Sequence, residues 1–233
     1  MRFKQPGPWI FAIGMVAFGL TDLFQVGGGI FWPISILCLI IPGLGLLFQR
    51  TGTVAAVVLA LYWLVPLLAM HVWGLVQVPQ SFQRWVSTAE TLTFFTIAAA
   101  FAWSRLWPVA RVALGLTLVV FGGVHLLYPV IVASLLPDWS PLPGVWPYVT
   151  GAIQIAAGAA VLSGVRAPIA AFAVGLMWLS WIPLVHLPRL IDDPGSRFEW
   201  TFMLTALALV GAAWSVGERM AVRPGEDLQP SVH

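Results

Sequence analysis

The chain is short of charge. Lys and Arg number 11 and Asp and Glu 9 in 233 residues, or 9%, where soluble domains average about 25%. So little polarity cannot solvate a globule, and it also excludes disorder. Cysteine is nearly absent: Cys38 stands alone, which excludes an intrachain bridge and a CxxC redox pair. The formal net charge of +2 forms no basic run, so no nucleic-acid partner is expected. Walker A, Rossmann, HExxH and GxSxG contexts are missing. Glu-x-x-His spacings are missing too, so no helical metal site is expected.

What the chain does have is 60% hydrophobic residues and 13 tryptophans, with a mean hydropathy of +0.92. An all-α polytopic membrane protein with the lipid bilayer as partner follows, because backbone groups in lipid must bond internally. A hydrocarbon core of about 30 Å takes about 20 apolar residues per helix. Eight spans are predicted, at 9–25, 31–48, 53–77, 86–103, 108–128, 146–163, 167–187 and 198–216. Turn clusters separate them, among them Gly27-Gly28-Gly29, Pro137-Asp138 and Asp192-Asp193-Pro194-Gly195. Arg2, Lys4, Arg50, Arg105, Arg111, Arg166, Arg219 and Arg223 share one side, against Arg84, Arg189 and Arg197 on the other. That asymmetry predicts cytoplasmic N and C termini in a plasma or inner membrane.

The two halves resemble each other. Phe18-Gly19-Leu20-Thr21-Asp22 pairs with Phe121-Gly122-Gly123-Val124-His125, and Leu61-Tyr62-Trp63-Leu64 with Leu176-Met177-Trp178-Leu179. His71 pairs with His186, Glu90 with Glu199, and Trp103 with Trp214. An even number of helices per unit makes the repeats parallel. The expected organisation is a first four-helix repeat over 1–104, a second over 105–217 and a cytoplasmic tail over 218–233.

Several motifs in the second half carry a family resemblance: Arg111-Val112-Ala113-Leu114-Gly115, Phe121-Gly122-Gly123-Val124-His125, Leu136-Pro137-Asp138-Trp139, Thr150-Gly151-Ala152-Ile153-Gln154 and His186-Leu187-Pro188-Arg189. In these the chain resembles the DoxX-like superfamily of four-helix membrane proteins, here as a tandem pair. Many members carry Glu where this chain has Gln154, and Ile41 takes that place in the first repeat. The family includes a membrane subunit of a thiosulfate:quinone oxidoreductase. The resemblance therefore implies a redox-associated membrane subunit, with quinone as cofactor and a redox partner protein.

Ionisable groups inside a span are costly and mark candidate sites. Asp22, His71, Glu90, His125, His186 and Glu199 all fall in the outer half, while the cytoplasmic halves read as nearly free of charge. Asp22 can meet a cation or water, with Gln25 nearby. His125 shares a stripe with Gly115 and Gly122, and Tyr128 at i+3 can bond its ring or share a ligand. His186 and Arg189, between Pro183 and Pro188, face Glu199 and can hold an anionic or carbonyl-bearing group. Against this stands a loop-end salt bridge between Arg189 or Arg197 and Asp192, Asp193 or Glu199. Glu90 and Glu199 can also act as helix-start carboxylates. Thr150, Gln154 and Gly158 make a packing face from which Gln154 can bond a carbonyl ligand, and Trp178 lies beside it in the second bundle. Segment 130–136 reads as a lid at the outer interface.

Three functions remain open. The first is a quinone-linked or other redox subunit with an outer polar pocket formed by Asp22, His71, Glu90, Tyr128, Gln154, Trp178 and Arg189. The second is a binding or transport protein for a small lipophilic solute. The third is a cofactor-free enzyme in which His125, His186 and Glu199 are acid and base. Bis-histidine haem would need His125 and His186 on facing helices at one depth.

Overall fold

The computed structural model describes residues 5–25 and 31–221, and every regular element among them is helical. Helix α1 is Pro6–Gln25, α2 covers 31–46, α3 is Gly52–Gln77, α4 is Phe82–Ala102 and α5 is Trp107–Leu127. A short α6, Pro129–Ser134, precedes α7 (Trp146–Ser163), α8 (Ala167–Asp192) and α9 (Arg197–Ala221). Each segment expected from the sequence is a helix. Six of them (α1, α3, α4, α5, α8 and α9) are long and apolar enough to cross a membrane. Arg2, Lys4, the 27–29 glycine turn, the Gln25 side chain and tail residues 222–233 lie outside the described residues.

Proline shapes three helices. Each of α2, α3 and α8 contains a π-helical turn, at Ile36–Ile40, Leu67–Val72 and Ile182–His186. Pro66 enters the second of these turns and Pro183 lies in the third. Proline has no N–H to donate and its ring pushes away the carbonyl a turn earlier, so the wider turn absorbs the mismatch. His71 and His186 both sit on such turns.

Successive long helices are antiparallel neighbours, and α1 packs on α9 to close the ring, with α4 touching α9 across the middle. At one face the Gly7 backbone N–H donates to Glu218 Oε1 at 2.8 Å, and at the other Arg197 reaches Asp22. Both helical ends of the chain therefore lie on one face. Glycines permit the closest approaches. A β-carbon on Gly151 would come within 3.0 Å of the Gly122 carbonyl, and one on Gly158 within 2.8 Å of the Gly115 carbonyl. The stripe read from Gly115 and Gly122 is thus the α5–α7 seam.

The halves repeat in detail. Gly43 and Gly158 each approach a backbone carbonyl of the preceding helix, Ala12 O and Gly115 O. Phe18 meets Trp63 edge-on at 5.9 Å, as Phe121 meets Trp178 at 6.1 Å. The Trp85 indole donates to Pro79 O at 2.7 Å, and Trp200 to Pro194 O at 3.0 Å. The hydroxyls of Ser81 and Ser196 accept the N–H groups of Arg84 and Glu199. From Gly43 to Trp85 these partners are separated from their second-half counterparts by one constant interval. The interval is shorter between α1 and α5, because α6 and its proline-rich turn are inserted after α5.

This register corrects three sequence pairings, the first being Trp214, which corresponds to Ala99 and not to Trp103. Glu199 corresponds to Arg84, not to Glu90. Gln154 corresponds to Leu39, not to Ile41, and both are fully buried. Matching Glu with Glu misled, because the serine cap and the Trp–Pro bond, not residue identity, set where a helix begins.

Candidate functional site

The candidate residues fall into separate groups. His125, near the C-terminal end of α5, sends Nδ1 to the Phe121 carbonyl at 2.7 Å. A carbonyl only accepts, so Nδ1 carries the proton and Nε2 keeps its lone pair. The Gln154 amide of α7 lies 3.5 Å from the same Nδ1. With Nε2 toward the ring, Gln154 Oε1 is buried with no partner. Turned by 180°, the oxygen can share the Nδ1 proton and the amide N–H groups become the unmatched donors. The Trp181 indole stacks on His125, with centroids 6.0 Å apart and planes 25° apart.

Trp178 holds an unmatched donor. It is 1% exposed, and its Nε1 has no acceptor among the described residues. Its counterpart Trp63 donates to Met15 Sδ at 3.2 Å. The second-half equivalent of Met15 is Leu118, a fully buried hydrocarbon that accepts nothing. Phe121 links Trp178 to His125, touching the indole through its ring and the imidazole through its carbonyl.

Arg189 and Glu199 are joined to each other. Nε donates to Oε2 at 2.9 Å, Nη2 to Oε1 at 2.5 Å, and Nη1 to the Leu135 carbonyl at 3.2 Å. The salt bridge set against ligand binding is present, and it ties the segment inserted after α5 to α8 and α9. The first half has no such pair. The positions equivalent to Arg189 and Glu199 are Gly74 and Arg84, and the Arg84 guanidinium fills the space where a side chain on Gly74 would stand. Beside the pair, His186 stacks on Phe202 at 6.3 Å.

Asp22 accepts from Arg197 at 3.0 Å and from Ser35 Oγ at 3.1 Å, so three helices meet on one carboxylate. Tyr128 departs from expectation. Its hydroxyl donates to Gln80 O at 2.8 Å rather than to His125, because α5 ends at Leu127 and the i+3 relation is lost. Glu90 is not a helix-start carboxylate. With α4 beginning at Phe82 it lies about 12 Å along the helix and has no hydrogen bond or ion pair among the described residues. His71 lies on the π-helical turn of α3, apart from the second-half group.

Sequence reading also missed Glu218. It was assigned to the tail, but α9 continues to Ala221 and buries its carboxylate on the Gly7 N–H. The half of the bundle where α1 begins and α9 ends is therefore not free of charge. A carboxylate three residues after Ser215 on an apolar helix was the available signal.

Compared with known proteins, the chain matches no family, no curated protein and no solved structure.

Proposed function

We propose that this is a DoxX-like membrane protein that crosses the bilayer eight times as two parallel four-helix repeats with both termini cytoplasmic, and that its second half binds a lipophilic carbonyl-bearing ring, a quinone, in association with a redox partner. The observation that carries this reading is the fully buried Trp178 Nε1–H, which has no acceptor, together with the buried Gln154 amide beside His125, which turned by 180° gives its oxygen the Nδ1 proton and leaves its N–H groups as further donors. Buried donors without acceptors are costly, and a ligand carbonyl removes that cost. The repeat makes the polarity specific. The first half places Leu39 where Gln154 stands and gives Trp63 an internal acceptor, so it leaves no comparable donor unmatched.

A bound quinone would supply two-electron, two-proton redox chemistry. The chain's part is recognition: Trp178 and Gln154 donate to a carbonyl, Trp181 and Phe121 give aromatic faces, and His125 Nε2 remains an acceptor for a quinol hydroxyl. Because Trp178 and Gln154 are sealed, binding requires α8 to shift, and its proline-interrupted π-helical turn lies directly beyond Trp178. Span number and orientation are supported by the antiparallel helix order, by the meeting of Gly7 with Glu218, and by the arginines of that face.

The test is titration of the purified protein with a short-chain benzoquinone or naphthoquinone, read by tryptophan quenching. Saturable binding that Trp178→Phe and Gln154→Leu weaken is the expected result. No saturable binding, together with no co-purifying redox protein, overturns the reading.

A further inference from the structure

At the face where the ends of the chain meet, a cleft of about 490 Å³ opens between the α4–α5 turn and the end of α9. Its wall holds Arg105, Arg111 and Arg219, with Ser104 and Trp107 beside them and no acidic residue among the described residues. The arginines come from three places in the chain: a tight turn, the second helical turn of α5 and the last turn of α9. Arg105 and Arg111 make no hydrogen bond or ion pair among the described residues, and Arg111 Nε is buried with no acceptor. Glu218, the nearest carboxylate in sequence, turns away to Gly7. Arg111 is held in place from behind by the left-handed turn at Gly164, where an added β-carbon would stand 3.3 Å from Nη1.

Surface arginines on a cytoplasmic face ordinarily spread out, because like charges repel. Here three converge on one recess, and two of them, Arg105 and Arg111, bring guanidinium donors that no described residue satisfies. Guanidinium groups bond phosphate oxygens in a fork, and an indole at the rim suits the headgroup level of a bilayer.

We infer that the Arg105–Arg111–Arg219 cleft is a binding site for a phosphate group, as carried by the headgroup of an anionic phospholipid of the facing leaflet. The donors match a phosphate's acceptor oxygens, and basic recesses between membrane helices on this side bind such headgroups. This site lies at the opposite end of the bundle from the proposed quinone site and does not depend on it.

The experiment uses the full-length protein in detergent, with native mass spectrometry and thermal unfolding, titrated with phosphatidylglycerol, phosphatidylcholine or inorganic phosphate. Retention and stabilisation by phosphatidylglycerol over phosphatidylcholine are expected. Arg105→Gln and Arg111→Gln should each weaken binding about fivefold. Arg105 lies on an exposed turn, so its variant tests binding without threatening the fold. Arg50→Gln removes the same charge from an exposed loop of the same face and should change nothing. If inorganic phosphate alone saturates the site and competes, the phosphate specificity stands and the natural source is soluble. If phosphatidylglycerol and phosphatidylcholine bind alike, or Arg50→Gln weakens binding as much as Arg105→Gln, the inference is overturned.

Discussion

Arg189 forks onto both oxygens of Glu199 while its remaining Nη1 holds the Leu135 carbonyl. One guanidinium thus ties the segment inserted after α5 to α8 and α9. The side chains are 26% and 9% exposed, so the pair is largely shielded from water. Removing one partner strands the other charge. Glu199→Ala is expected to cost about 2–4 kcal/mol, while the double variant Arg189→Ala/Glu199→Ala costs less than Arg189→Ala and Glu199→Ala summed. Thermal unfolding of the four proteins in one detergent measures the coupling, and strict additivity would refute it.

The Asp22–Arg197 pair is different. Arg197 is 58% exposed and Asp22 21%, so solvent and salt screen it. Arg197→Gln should shift stability by no more than about 1 kcal/mol, less at high ionic strength. A loss as large as that from Glu199→Ala would show this prediction wrong.

The α5–α7 seam can be tested through two adjacent glycines. A β-carbon on Gly122 would run into the Gly151 carbonyl and Ile155, whereas one on Gly123 would meet nothing within 4 Å. Gly122→Ala should destabilise by about 1–3 kcal/mol, with Gly123→Ala near neutral. Equal unfolding midpoints for the two variants would contradict the packing.

Trp178→Phe removes a donor that has no protein acceptor, so the unliganded protein should lose little stability. The same change should weaken quinone-analogue binding about threefold to tenfold, the worth of one hydrogen bond. Trp63→Phe gives up the bond to Met15 Sδ and should leave the ligand affinity unchanged. Quenching titrations and unfolding curves on both variants separate the two effects.

Glu90 lies well inside α4 with no partner among the described residues. Replacing an uncompensated carboxylate removes a desolvation cost, so Glu90→Gln should raise stability by about 1 kcal/mol. A drop in the unfolding midpoint would reveal a partner for the carboxylate.

Much of the helix layout was legible because its causes are local. Apolar runs and proline or glycine breaks located the eight expected helices to within a few residues, except where a polar end continued the helix; α6 falls in the segment read as a lid. Phe82 to Trp85 and Glu218 to Ala221 are such ends. The candidate site was less legible. Gln154, Trp178 and His125 were singled out one by one, but nothing local placed Phe121 between them or denied Trp178 an acceptor.

The sequence alone determined the solvent of this protein, its all-helical build and its two-fold internal likeness. Those properties depend on composition and on signals a few residues long. Tertiary structure decided the partners: Glu199 for Arg189, Asp22 for Arg197, the Gly7 N–H for Glu218, and one cleft for Arg105, Arg111 and Arg219. The physical reason lies in stretches such as Ala167–Trp181 of α8, which are apolar all round. No amphipathic stripe states which way they face, so rotation and neighbour order are settled by glycine-scale packing between distant segments.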